Sequence, residues 1–163
     1  MEHQQENAKK KKFKRTLIKI LYVVLGAILL GLLLESRRTP LSAEEFTFRM
    51  EEAGFIVEDK TSSFEKARVY LVVDHGALHI EFMVYETMAE ARTAFREFRS
   101  DLEDLGEVIV FYWTSSGFNS WYEQNTTDGQ YARMNRIRNT VILISTTTEY
   151  ITDVEEIWDM LGQ

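Results

Sequence analysis

The run VYLVVDHGALHIEFMVYETMAEARTAF changes its hydrophobic period once, and that change limits what the segment can become. Val69, Leu71 and Val73 alternate with Arg68, Tyr70 and Val72, while Ile80, Phe82 and Val84 alternate with His79, Glu81, Met83 and Tyr85. A period of two is that of a strand with two unlike faces, and the turn Asp74-His75-Gly76-Ala77 joins the two strands into a hairpin. After Thr87 the apolar spacing becomes three and four, through Ala91, Ala94, Phe95, Phe98, Leu102 and Leu105, until Gly106. That is an amphipathic helix with a glycine stop.

The same plan recurs in YARMNRIRNTVILISTTTEYITDVEEIWDML, where Tyr131 to Ile137 pairs with Thr140 to Thr146 across Arg138-Asn139, and Val154, Ile157, Trp158 and Leu161 mark a helix. The repetition predicts an internal duplication of a hairpin–helix unit. Ser42 with Glu45, Thr87 with Glu90 and Thr152 with Glu155 have capping-box spacing, so three helix starts are expected. Leu41 and Phe46 form the staple pair of the first helix, with Met50 and Ala53 continuing its buried stripe. Phe55 to Asp59, Val108 to Thr114 and Ser120 to Asn125 read as further strands. The class is α+β: a mainly antiparallel sheet with amphipathic helices on one face.

The N-terminal part has a different composition. Met1 to Leu34 holds seven basic and two acidic residues, which leaves 12 basic against 24 acidic residues from Glu35 onward, about −12 within a total of −7. An acidic domain repels phosphate backbones, so nucleic acid is not an expected partner. Leu17 to Leu34, LIKILYVVLGAILLGLLL, is apolar except for Lys19, and 18 helical residues span roughly 27 Å, near the thickness of a bilayer core. The expected organisation is a basic cytoplasmic tail over 1–15, a single transmembrane helix over 16–34, a connector over 35–40 and an extracytoplasmic domain over 41–163.

The lipid bilayer is then the partner of 16–34. Six basic residues before the span against Arg37 and Arg38 after it place the N-terminus in the cytoplasm and the domain outside the cell membrane. LLLESRR offers no small-x-small cleavage site, so the segment reads as an uncleaved signal anchor. The chain has no Cys, which excludes both a lipid anchor through Cys and a disulfide framework.

With a charged N-terminus and apolar anchor, then SAEEFTFRMEEAGFIVEDKT, IEFMVYETMAEARTAF and YARMNRIRNTVILISTTTEYITDVEEI, the chain resembles a group of small, uncharacterised membrane-anchored or lipoprotein-like extracytoplasmic domains of Gram-positive bacteria. The resemblance is one of pattern over most of Leu41 to Gln163 and implies no catalytic residues or cofactors. Lipoprotein members carry an anchoring Cys, which this chain lacks.

Candidate chemistry is sparse. No nucleophile elbow, phosphate loop or cofactor fingerprint is present. His75 and His79 are four apart, but that spacing brings imidazoles together on a helix and these lie in a hairpin, so no metal or catalytic site is assigned. The sheet is rich in aromatics, including Tyr70, Tyr85, Phe111, Tyr112, Trp113, Trp121, Tyr122 and Tyr131, which either fill a core or form a contact surface. Arg133, Arg136 and Arg138 either pair with carboxylates or form a small anion site. The candidate binding residues are Tyr70, Tyr85, Trp113, Trp121, Tyr131, Arg133 and Arg136. The functional expectation is a non-catalytic binding or interaction module with a membrane or envelope protein partner. The alternative is an envelope-associated hydrolase using His79, Glu81 and Arg133.

Overall fold

A computed structural model of the chain describes residues 18–31 and 38–162. Residues 18–31 form a helix, α1. Thr39–Gln163 is a separate compact unit. Its elements are α2 (Ala43–Glu52), β1 (Glu58–Asp59), β2 (Val69–His75), β3 (Leu78–Val84), α3 (Met88–Glu103), β4 (Val108–Ser115), β5 (Asn119–Thr126), β6 (Gln130–Ile137), β7 (Thr140–Thr147) and α4 (Ile151–Leu161).

The transmembrane helix expected over 16–34 is corrected. Among the described residues no helix is long and apolar enough to cross a membrane. The 14 described residues of α1 rise about 21 Å, against about 30 Å of hydrocarbon core. The flanks of the expected span, 16–17 and 32–34, and the basic tail over 1–15 lie outside the described residues, as do 35–37 of the connector.

The seven strands form one antiparallel sheet in the order β1-β2-β3-β7-β6-β5-β4. Both expected hairpins form, and β7 pairs with β3, so the hairpins meet at the centre. The central strands carry apolar side chains on both faces. Ile80, Phe82, Ile142 and Ile144 pack with Phe46 and Met50 of α2 and Val154, Ile157, Trp158 and Leu161 of α4. On the opposite side, Met83, Val141, Leu143 and Met134 pack with Ala91, Ala94, Phe95 and Leu102 of α3.

Helices on one face and the internal duplication are therefore both corrected. The two hairpins are antiparallel neighbours through β3 and β7, yet the helix after the first lies on one face and the helix after the second on the other. A two-fold operation that exchanges the hairpins within the sheet keeps its faces, so it cannot exchange α3 with α4. The cause is β7, whose run Val141-Ile142-Leu143-Ile144 is apolar on both sides and needs cover on both.

The capping signals are realised unequally. Thr87 and Glu90 form the full box, with Glu90 N–H donating to Thr87 Oγ1 at 3.2 Å and Thr87 N–H to Glu90 Oε2 at 3.1 Å. Ser42 accepts from Glu45 N–H at 3.1 Å, while the Glu45 carboxylate pairs with Arg49. The third box does not form, because a 3₁₀ turn over Thr148–Tyr150 runs into α4, which starts at Ile151 with no side-chain cap. The strand expected over Phe55 to Asp59 shrinks to the two residues of β1.

Candidate functional site

In an antiparallel ladder, residues directly opposite one another project to the same face, so register assigns each candidate to a side of the sheet. Asn125, Tyr131 and Thr146 lie in one cross-strand row, and Glu123, Arg133 and Ile144 in the next, on the face covered by α2 and α4. Trp121, opposite Asn135, joins them. Tyr122, Met134 and Leu143 point to the α3 face, as do Arg136, Tyr70 and Tyr85.

The structure thus brings Trp121, Tyr131 and Arg133 together. The Arg133 guanidinium carbon lies 5.1 Å from the Trp158 ring centroid and 5.7 Å from that of Trp121, so the cation is within reach of both indoles. Tyr131 O–H donates to Glu123 Oε1 at 3.0 Å, and burial, reinforced by that carboxylate, pushes the phenol well above its usual range. Arg133 and Trp158 lock α4 onto the outer half of the sheet, an arrangement that orders the interface.

Arg136 sits apart from Arg133 and is fully buried. Its Nε and Nη2 donate to Ser120 Oγ at 3.3 and 2.9 Å, Nη2 also to Ser116 O at 3.2 Å, and Nη1 to Phe118 O at 2.9 Å and Arg138 O at 3.0 Å. Every acceptor is neutral, and burial lowers the guanidinium's pKa. With its donors occupied by three backbone carbonyls and a hydroxyl, Arg136 ties the β4–β5 turn to the β6–β7 turn.

Tyr85 is buried with its hydroxyl on Met83 Sδ at 3.4 Å. Tyr70 packs against Phe64 and donates to Glu81 Oε2 at 2.9 Å. Glu81 also meets His79 Nε2 at 3.1 Å, and Asp74 meets His79 Nδ1 at 2.5 Å. The Glu81 and Asp74 carboxylates hold the imidazole pKa up at about 9. A histidine protonated at neutral pH, with both nitrogens engaged, has no lone pair to accept a proton or hold a metal. Arg133 lies on the other face from His79 and Glu81, so that trio is not assembled. Among the described residues no group of His, Asp and Glu has the arrangement of a metal site.

One cavity of about 650 Å³ opens between the β2–β3 turn and α4, lined by Phe55, His75, Leu78, Asp153, Glu156 and Met160. None of the seven candidate binding residues lines it.

Trp113 lies on β4, the strand with the most exposed apolar side chains, of which it is the only candidate binding residue: Ile109, Val110, Phe111, Tyr112 and Trp113 are 62, 40, 46, 57 and 47% exposed. Phe111 and Trp113 project toward the α3 side, where Arg99 stacks 5.0 Å from the Trp113 centroid, and Tyr112 toward the other. Among the described residues β4 has a neighbour on one side only, β5. No family model, curated protein or solved structure matches this chain.

Proposed function

We propose that the domain is a non-catalytic interaction module that takes a partner strand along the free edge of β4. The observation that carries this reading is the contrast between the two edges of the sheet. One is closed off by the two-residue β1, whose Glu58 and Asp59 are charged and whose Glu58 pairs with Lys60. Short, charged edges are how folded proteins prevent strand pairing. The other edge is eight residues long, VIVFYWTS, without a charge, a proline or a glycine. Such an edge presents unpaired backbone donors and acceptors with apolar side chains on both sides, the requirement for strand addition.

The probe is a lysine-flanked peptide carrying VIVFYWTS, followed by Trp fluorescence and by hydrogen exchange at β4. Saturable binding that slows exchange of β4 amides and is weakened by Tyr112→Lys supports the reading. Absence of protection at β4 at every peptide concentration overturns it.

A further inference from the structure

We propose that the partner strand is β4 of a second copy of this chain, joined across a two-fold axis into one continuous antiparallel sheet. The inference rests on the strand-docking reading above and names its occupant. Three features of β4 favour a copy of itself.

The first is register. Paired residues must project to the same face, so a two-fold antiparallel contact is centred on a residue and not between two residues. Centring on Phe111 sets Phe111 against its own counterpart and Val110 against Tyr112, while Ile109, opposite Trp113, lies in the β-bulge where β4 shifts register against β5. The exposed Val110, Phe111 and Tyr112 then meet apolar residues, as aromatic and β-branched cross-strand pairs.

The second is charge. Ten basic and 23 acidic residues make Thr39–Gln163 strongly acidic, yet no charge lies within Val108–Ser115, so two copies meet at the one edge where like charges are not opposed. What repulsion remains acts at longer range and is screened by salt over about 10 Å at 0.1 M.

The third is area. With aromatic side chains carrying about 150–250 Å² each, the exposed parts of Ile109 to Trp113 offer on the order of 500 Å² per protomer. A two-fold contact that covered all of it would reach about 1,000 Å², the lower bound for a specific interface. Because β1 blunts the far edge, assembly stops at the dimer.

The test uses the full chain, sedimented over a range of concentrations, with two single-cysteine variants made possible by the absence of native Cys. The dimer is expected to form with concentration, to tighten as salt rises from 0.05 to 0.5 M (about a 3-fold drop in Debye length), and to weaken at least tenfold in Tyr112→Lys. Tyr112 is exposed, so that variant is expected to keep the wild-type circular dichroism spectrum. Phe111→Cys is expected to oxidise to a covalent dimer. Ser115→Cys is not, because eight residue steps put its two copies about 27 Å apart, far beyond the roughly 7 Å Cα separation a disulfide tolerates. A monomer at all concentrations that still binds the VIVFYWTS peptide overturns the self-pairing and leaves strand docking standing. A monomer that binds no peptide removes both. A dimer that ignores Tyr112→Lys and does not cross-link through Phe111→Cys, or an open-ended assembly, also overturns the proposal.

Discussion

Arg133 on β6 and Trp158 on α4 meet face to cation, with the guanidinium carbon 5.1 Å from the indole centroid and 5.7 Å from that of Trp121. Desolvated cation–π contacts contribute about 2 kcal/mol, and the Arg133 stem also packs. Arg133→Ala is expected to lower unfolding free energy by about 2 kcal/mol, read from the urea midpoint with Trp fluorescence. Arg133→Lys keeps the charge and loses the planar stack, so it should recover less than half. Full recovery by Lys would assign the effect to charge alone.

His79 gives a pH dependence whose sign follows from its partners. Glu81 and Asp74 raise its folded pKa to about 9, above the unfolded value of about 6.5. The stabilisation is therefore fully present below about pH 6.5 and is lost as pH rises toward 9. The imidazole is more than a third exposed, so solvent screening reduces the contribution to on the order of 1 kcal/mol. His79→Gln is expected to be less stable than wild type at pH 6 and equal to it at pH 9.5. A difference that does not change with pH would assign the loss to packing.

Arg136 is expected to be the costliest single polar residue to replace. Arg136→Met keeps much of the volume but removes the guanidinium donors from Ser116 O, Phe118 O and Arg138 O in a part-buried site, of which Phe118 O still accepts from Arg138 N–H at 2.8 Å. At about 1–3 kcal/mol for each of the two other carbonyls that lose this donor, the loss should be at least about 2 kcal/mol in thermal or urea unfolding. Arg136→Lys should not restore it, since an ammonium cannot reach acceptors spread around a guanidinium fork.

The two Thr-x-x-Glu signals with unequal outcomes offer a paired comparison. Thr87 caps α3 through its hydroxyl, so Thr87→Ala should cost about 1 kcal/mol. Thr152 lies inside α4 and is exposed, so Thr152→Ala should change stability by less than about 0.5 kcal/mol. Equal losses in chemical denaturation would mean that α4 starts two residues later, at Asp153, with Thr152 as its cap.

Much of the fold is local and was legible for that reason. Period-two alternation marked β2 and β3, the turn residues marked both hairpins, Thr87 and Glu90 marked the start of α3, and the stripe Val154, Ile157, Trp158, Leu161 marked α4. The candidate site was legible only in part. Trp121, Tyr131 and Arg133 come together because Arg133 lies two residues from Tyr131 on one strand and Trp121 lies on the strand paired with it. Arg136 differs from Arg133 by an odd number of residues, and the pleat sends it to the other face.

The remaining difference lies in where each strand sits in the sheet. Val108 to Trp113, VIVFYW, and Thr140 to Ser145, TVILIS, are both continuous runs of β-branched, aromatic or aliphatic residues, and in sequence they announce the same thing: a strand with two apolar faces. In the folded domain β7 is central, between β3 and β6, with α2 and α4 on one side and α3 on the other, and its Val141, Ile142 and Ile144 are all but inaccessible. β4 is at the edge, with its side chains exposed to both sides. The sequence by itself determined the elements, their capping at Thr87 and the parity of side chains along each strand, except at the bulge between Val108 and Val110 in β4. Only tertiary structure decided which apolar strand was enclosed and which was left open, because strand order depends on pairing between segments tens of residues apart and no local pattern encodes it.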